Sequence, residues 1–326
     1  MITSQSNRAF VEAEVYSKFI LENMHDGMLP SNFYRNVSDF GNGDTLHIKS
    51  IGEATIQFVE EDKPIAYSPI ESGEITMQIN QYVGDAWYIT DVARQDGAQM
   101  EVLTSQRAKE STRALQEYFE SKALDTIFQA GLSRFGLLGA APINGFQHAG
   151  VASGTGNTFE IKDLIRMKLS FDKAEVPMAG RVCFVDPVVA ASLDNKFQNT
   201  YAVNRNQEIM ELLKGGFDRD HQFVMNIMGW NIITSNRLPK YTLTTSHKQL
   251  DGTTASAAGS GVAALFMNIA DDQTKCLMSA WRQQPKVEGD RNKDLARDEY
   301  VTRARFGFGV QRYDTLGILM ASDSNI

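Results

Sequence analysis

Glycine-rich stretches are the first places in this 326-residue sequence that could do chemistry, because closely spaced glycines can cradle a phosphate group. Gly307 and Gly309 match two positions of a dinucleotide-binding fingerprint, but the third position is Arg312. Residues 154–156 and 259–261 repeat the Gly-x-Gly spacing without the Lys-Ser/Thr that ends a P-loop. We therefore interpret Gly307 and Gly309 as small residues in or beside a strand, where a bulge or a close backbone approach is required.

The other residue types that serve as catalysts or metal ligands are scattered along the chain. The histidines form no His-Glu-x-x-His motif, and no two of them are four residues apart. Ser153 stands one residue too late for the Gly-x-Ser-x-Gly turn that presents a nucleophile. Cys183 and Cys276 lie in separate apolar runs, which favours two buried thiols over a disulfide or a zinc site. We predict no catalytic residue, no cofactor and no metal ion.

Composition and charge indicate a globular protein without a dedicated nucleic-acid surface. Hydrophobic residues make up 42% of the chain and charged residues 22%, which excludes wholesale disorder. The 32 Lys and Arg residues against 40 Asp and Glu residues give a net charge of −8, and no long basic run occurs. The beginning of the chain lacks the pattern of a signal peptide, and no apolar stretch is long enough for a membrane span, so we expect no membrane association.

Residues 52–84 predict an extended arm. Strand-like stretches fall at about 54–59 and 74–83, and in the second stretch Ile75, Met77 and Ile79 alternate with polar residues. The proline-containing connection between them is roughly 14 residues long, well beyond a tight hairpin turn. A two-stranded arm of this kind is barely stable alone in water, so it requires a surface to lie on.

Two helices are predicted around this arm. Residues 7–24 place Phe10, Val15 and Phe19 at helical spacing. Residues 97–131 read as one long helix whose second half has a clear apolar face and whose first half is almost entirely polar. The polar half has little core of its own to cover, so another part of the protein or another subunit must support it.

The remainder of the chain predicts a mixed α/β segment and a closing strand region. Residues 161–174 predict a helix, residues 180–185 and 229–236 predict strands, and Asp186-Pro187 is typical of a helix start. Residues 281–302 mix charged residues with polar and apolar ones and predict no clear helix or strand. Long arms and an unsupported helix, combined with the lack of convergent polar residues, favour subunit assembly over catalysis.

The order of these elements resembles tailed-bacteriophage major capsid (coat) proteins of the HK97-like fold. The resemblance is carried by "FGNGDTLHIKSIG" before the arm, by "GDAWYITDVARQDGAQ" leading into the long helix, by "GRVCFVDPVVAASL" and "MNIMGWNIITSNRLP", and by the closing "RARFGFGVQRYDTLGILMAS". It covers nearly the whole chain, with Tyr313 where a proline is common in the family.

The resemblance implies an α+β fold in four parts: an N-terminal arm, an extended β-hairpin loop, a peripheral domain with a long spine helix, and an axial domain. Residues 1–51 would form the N-terminal helix and arm, and residues 52–84 the extended loop. Residues 85–158 and 281–313 would form the peripheral domain, with the spine helix at about 98–130. Residues 159–280 and 314–326 would form the axial domain, so the closing stretch would pass from the peripheral sheet to the axial domain.

The implied function is self-assembly, through hexamers and pentamers, into the icosahedral head that encloses the phage genome. The expected partners are other copies of the chain, with scaffold, portal and decoration proteins and packaged DNA bound without sequence specificity. The expected location is the virion capsid, after synthesis in the host bacterial cytoplasm. The alternatives are a soluble α+β enzyme or ligand-binding protein with residues 52–84 as a lid, and a minor virion or decoration protein.

The residues that we predict at subunit contacts lie in the extended loop and the N-terminal arm. They are Phe58, Lys63, Ile65, Tyr67, Ile70, Ile75, Met77, Ile79, Phe10, Val15 and Phe19. Some relatives of the resembled family form a Lys–Asn isopeptide bond from the loop, and Lys63 is the only lysine in residues 52–84. No acid–base group can be assigned beside it, so we interpret Lys63 as a solvated charge.

Overall fold

The computed structural model describes residues 33–37, 45–51, 56–59, 61, 64, 67, 72–97, 100–138, 143, 145–193 and 223–323. The predicted N-terminal helix at 7–24 lies outside the described residues. The strands are β1 (Arg35–Asn36), β2 (Thr45–Ile51), β3 (Ser72–Thr90), β4 (Ala149–Val151), β5 (Arg181–Val185), β6 (Phe223–Ile227), β7 (Trp230–Thr234), β8 (Lys240–Leu243), β9 (Gly259–Asn268), β10 (Leu277–Asn292), β11 (Arg297–Val310) and β12 (Leu316–Ser322). The helices are α1 (Asp91–Asp96), α2 (Met100–Phe135), α3 (Ile161–Lys173) and α4 (187–193), with a 3₁₀ turn at Thr155–Asn157.

The strands form two sheets. A five-stranded sheet has the order β1-β10-β11-β3-β2, and all its pairs are antiparallel except β1 with β10. A seven-stranded sheet has the order β4-β12-β9-β5-β7-β6, with β8 also paired to β9. Because β11 belongs to the first sheet and β12 to the second, the closing stretch does pass from one sheet to the other.

Helix α2 joins the two sheets. Its predicted apolar second half is confirmed, but it begins at Met100, because Gly97 ends the short helix α1, and it continues past Gly131 to Phe135. Leu115 and Phe119 pack against the five-stranded sheet, whereas the final turns enter the core of the seven-stranded sheet. A side chain at position 131 would collide with Ile318 of β12, so the glycine allows the helix and strand to approach closely.

Strand β3 is long because it has two successive partners. Its first part, from Ser72 to Gln78, pairs with β2, and its second part, from Gln78 to Thr90, pairs with β11. Of the predicted strand at 54–59, residues 56–59 are described; the prediction is wrong for them because they pair with no strand, and β2 takes that place beside β3. The physical reason is that β2 supplies apolar side chains opposite β3, with Leu46 facing Met77.

The charged stretch 281–302 forms most of a long hairpin, β10–β11, which its sequence pattern does not predict. Its alternation is partly hidden because β-bulges occur between Trp281 and Gln283 and between Gln283 and Lys286. A further irregularity in β11 lies between Phe306 and Phe308, opposite β3. A side chain at Gly307 would run into the backbone of β3, so the predicted close backbone approach at this glycine is confirmed.

The larger core surrounds the seven-stranded sheet. Trp230 is fully buried and meets Phe171 and Phe266 edge-to-face, with ring centroids 5.0 and 4.9 Å apart. The predicted helix at 161–174 and the strands within 180–185 and 229–236 are confirmed as α3, β5 and β7. Cys183 and Cys276 are buried free thiols, as predicted, and burial raises the pKa of Cys276 to about 12.

Candidate functional site: exposed arm and sheet face

The extended loop exposes large apolar side chains in the single chain. Phe58 is 95% exposed and Tyr67 is 97% exposed, and Ile56 and Val59 nearby are also exposed. A cluster of exposed apolar side chains on a short segment indicates a contact surface, because water is a poor solvent for all of them.

Three of the predicted contact residues lie on β3, and the structure corrects two of them. Met77 and Ile79 are buried within the chain itself, where they pack with Met278 and Ala280 of β10. They face inwards because β3 crosses the small core of the five-stranded sheet at this point, so they offer no surface to a neighbouring subunit. Ile75 is partly buried against the same cluster.

The other predicted contact residues lie outside the described part of the chain. They are Lys63, Ile65, Ile70, Phe10, Val15 and Phe19. Their contacts therefore stay predictions.

The five-stranded sheet has one face packed on α2 and one open face. Ala304 and Phe306 are fully buried against the helix, and Thr302 hydrogen-bonds to Ser111 of α2 with 2.9 Å between their oxygens. Side chains alternate along a strand, so Arg303 and Arg305 project from the opposite face.

Cross-strand neighbours complete this open face. Arg305 lies opposite Tyr82, and Arg303 lies between Gly84 on one side and Lys286 on the other. Tyr82 is 62% exposed, and the stem of Arg303 passes over Gly84, where an added Cβ would be 3.4 Å from its Cγ. The sequence favours solvent or a neighbouring subunit over phosphate as the surroundings of Arg303 and Arg305, and the exposure of Arg303 agrees with this expectation.

Further along the same open face the charges are mixed. Arg297 pairs with Glu299 at 2.7 Å and lies 4.5 Å from the ring centroid of Tyr88. Asp290 lies opposite Glu299 and Glu288 lies opposite Val301. Lys286, opposite Arg303, also has an acidic neighbour, because its Nζ lies 3.8 Å from Oε1 of Glu288.

An ion-pair group connects α2 to the loop between β7 and β8. Arg237 contacts Glu120 at 2.9 Å and Glu117 at 3.3 Å, and both Arg237 and Glu120 are largely buried. The arrangement fixes the helix relative to the seven-stranded sheet.

A cavity of about 270 Å³ lies beside this group, between α2 and both sheets. Its walls are mostly aromatic and aliphatic, including Phe119, Phe184 and Trp281, with Gln116 and Glu120 as the polar groups. Among the described residues, no group of three or more His, Cys, Asp or Glu side chains could hold a metal ion. No helix in the described ranges is long and apolar enough to cross a membrane.

His148 is a buried titratable group next to the start of β4. Its ring stacks on Phe135 and Phe171, with centroids 5.7 and 5.3 Å apart, and its Nδ1 lies 3.3 Å from the carbonyl oxygen of Leu316. Burial lowers the pKa of His148 to about 4, because the charged imidazolium cannot be solvated there.

Solved structures with the same arrangement identify the fold. The capsid structure of Cyanophage P-SCSP1u is similar, with a TM-score of 0.67 and 17% identity over 96% of this chain and 94% of that chain. The bacteriophage PhiM1 mature capsid gives a TM-score of 0.66 and 10% identity over 97% and 93% of the two chains. A chain from Mycobacterium phage Che8 gives 0.62 and 17% identity over 95% and 97%. The α+β arrangement is the HK97-like capsid fold, as the sequence predicted.

The sequence itself gives the family. A family model described as "Phage capsid protein" matches residues 73–321, and the chain therefore belongs to the phage capsid protein family. No curated protein matches the chain in sequence. The protein is a phage capsid protein located in the virion capsid, and the alternative of an enzyme with a lid is not supported.

Proposed function

We propose that copies of this chain assemble as hexamers and pentamers, held together by the extended loop and the N-terminal arm of each subunit lying on its neighbours. The exposure of Phe58 and Tyr67 carries this proposal, because each ring would remove a large apolar surface from water on contact. Burying one such side chain contributes about 1.5–3 kcal/mol. The gain recurs at every subunit contact in a shell.

The proposed domain division follows the two sheets. The five-stranded sheet with α2 would be the peripheral domain, and the seven-stranded sheet would be the axial domain at the centre of each capsomer. The strands β11 and most of β10 in one sheet, and β5 to β9 and β12 in the other, support this division. The bounds differ elsewhere: β1, β2 and most of β3 come from the predicted arm and loop but join the five-stranded sheet, and β4 falls within 85–158 but joins the seven-stranded sheet. Assembly rather than catalysis is the proposed activity of both.

The proposed partners beyond other copies are scaffold, portal and decoration proteins, with the genome at the inner surface. The net charge of −8 supports a wall that does not hold DNA tightly. Synthesis would take place in the cytoplasm of the bacterial host.

The test removes the exposed rings. Phe58→Ser with Tyr67→Ser is expected to leave folded subunits that form no shells, as is deletion of residues 58–74. Met178→Ser is the matched control, because Met178 is 64% exposed but lies outside the loop. Negative-stain electron microscopy and sedimentation of the products give the readout. Normal shells from both loop variants would contradict the proposal.

A further inference from the structure

The cavity between α2 and the two sheets is large enough to hold a small molecule. Its volume is about 270 Å³. An apolar protein cavity of about 150 Å³ holds a benzene molecule, so this cavity has room for roughly two fused aromatic rings. Small-molecule sites in proteins are concave and mostly apolar, with a few polar groups that fix the orientation of the ligand.

The walls of the cavity come from α2 and from both sheets. Phe119, Ala123 and Ile127 are spaced four residues apart on α2, so they share one face of the helix. Phe184 of β5 adds a ring from the seven-stranded sheet, and Trp281 of β10 adds one from the five-stranded sheet. A molecule in this cavity would therefore contact the helix and both sheets.

The aromatic side chains around the cavity are held in place by one another. Phe119 stacks on Trp281 with ring centroids 4.3 Å apart. Phe33, which also lines the cavity, meets Phe184 edge-to-face with centroids 5.0 Å apart. Walls that are already ordered favour a flat, rigid ligand, because neither the protein nor the ligand loses much conformational freedom on binding. A flexible alkyl chain would lose more.

The cavity has one polar end, formed by Gln116 and Glu120 on the same face of α2. Gln116 is exposed, so this end lies towards the solvent, whereas Glu120 is buried. Arg237 holds the Glu120 carboxylate in place, with its Nη1 2.9 Å from Oε2. Among the described residues that line the cavity, Glu120 is the charged one. A carboxylate accepts hydrogen bonds and repels anions, so this end favours a ligand with a donor group.

From these features we propose that the cavity binds a small molecule with two fused aromatic rings and one hydrogen-bond donor, of the size and chemistry of an aminonaphthalene or an indole. The rings would lie among Phe119, Phe184 and Trp281, and the donor would face Glu120. A fatty acid fits less well, because its carboxylate would meet Glu120 and its chain would lose more freedom. The site lies within one chain and adds a ligand-binding activity to the assembly role.

Binding of 1-aminonaphthalene to the full-length chain, as unassembled subunits, tests the proposal. Titration calorimetry and the fluorescence of the probe are expected to show saturable binding of one molecule per chain. The probe is also expected to raise the melting temperature, because it binds the folded state alone. Naphthalene-1-sulfonate has the same rings with an anionic group, and it is expected to bind at least about tenfold more weakly.

A substitution that fills the cavity locates the site. Ala123 is buried and lines the cavity, so Ala123→Phe places a ring in the space that the probe needs. This variant is expected to bind 1-aminonaphthalene at least about tenfold more weakly and to show no rise in melting temperature with the probe. Ala114→Phe is the matched control, because it makes the same change on α2 at an exposed position, and it is expected to bind as the wild-type chain does.

A second variant tests the polar end independently of the first. Glu120→Gln keeps the size of the side chain but removes its negative charge, so the preference for 1-aminonaphthalene over naphthalene-1-sulfonate is expected to fall at least about tenfold. Both probes are compared on the same variant, so any change in its stability cancels. Circular dichroism checks that each variant folds.

Four results would overturn the proposal. They are the lack of saturable binding to the wild-type chain, unchanged binding to folded Ala123→Phe, a preference between the probes that Glu120→Gln leaves unchanged, and tighter binding of decanoate than of 1-aminonaphthalene. The second result would mean adventitious binding elsewhere on the chain, and the last would assign the cavity to an acyl chain. None of them bears on subunit assembly, which the loop variants test separately.

Discussion

The buried imidazole of His148 makes the stability of this fold sensitive to acid. Its pKa is about 4 in the folded chain, against about 6.5 in an unfolded chain, so the unfolded state binds the proton more readily. Stability is therefore highest above the unfolded value and falls as the pH decreases from about 6.5 towards 4. The total loss is about 3 kcal/mol, and about 2 kcal/mol of it falls between pH 7 and pH 5.

The structural cause is the lack of a second partner for the ring. Nδ1 lies within hydrogen-bonding distance of the carbonyl oxygen of Leu316, whereas Nε2 is buried without a hydrogen-bond partner among the described residues. Protonation would place a second N–H and a positive charge between Phe135 and Phe171. Neither ring accepts a hydrogen bond as strongly as water does, so the charged form is penalised.

The assay compares the wild-type chain with His148→Gln as unassembled subunits. Urea unfolding followed by tryptophan fluorescence at pH 7 and pH 5 gives the change in free energy of unfolding for each chain. The substitution has its own cost at both pH values, which cancels in the comparison. The wild-type chain is expected to lose about 2 kcal/mol more than the variant. Equal losses would refute the reasoning, because they would mean that His148 titrates alike in both states.

Three further predictions concern packing and ion pairs. Phe119→Ala is expected to lower the free energy of unfolding by about 3–5 kcal/mol, because the ring is buried against Trp281 and its removal leaves a cavity that cannot fully collapse. Chemical unfolding measures this loss. Tyr118 is 43% exposed, so Tyr118→Ala is expected to cost clearly less. Gly307→Ala is expected to lower the melting temperature markedly more than Gly309→Ala, since only the former meets backbone atoms; equal shifts would contradict this. Arg237→Ala is expected to cost about 3 kcal/mol by removing its largely buried ion pairs with α2, and a loss under 1 kcal/mol would count against that role.

Much of the fold was predictable because many elements carry a local signal. The long helix α2 has few helix breakers and a clear apolar half, β5 contains the apolar run 182–185, and β7 contains Trp230, Ile232 and Ile233. The order of such elements was enough to indicate the HK97-like fold. The capsid function followed from the resemblance, because capsid assembly requires no catalytic or ligand-binding motif that could be recognised in the sequence.

The errors arose where pairing partners are distant in sequence. Residues 56–59 alternate like a strand, but the backbone of β3 is already occupied by β2 and β11. The hairpin β10–β11 looked like a charged loop because its bulges shift the alternation and many of its side chains face water. Register of this kind depends on the whole sheet, and a local pattern cannot specify it.

The candidate contact surface was only partly predictable for the same reason. Exposure of Phe58 and Tyr67 follows from their place in a long polar loop, whereas the burial of Met77 and Ile79 depends on β10, about two hundred residues further along the chain. The position of Arg303 and Arg305 on the open face depends on α2, which covers the opposite face of their strand.

The continuity of β3 has a mechanical consequence. The strand that begins beside the loop at Ser72 is the same strand that ends at Thr90 in the five-stranded sheet, without a break in the backbone. A neighbour that pulls on the loop along the strand axis therefore loads the β3–β11 hydrogen bonds together in shear, since these bonds run perpendicular to the strands. Bonds loaded in parallel share the force, whereas bonds peeled from one end break one after another. A wall built from such subunits would resist stretching better than it resists bending at the loop.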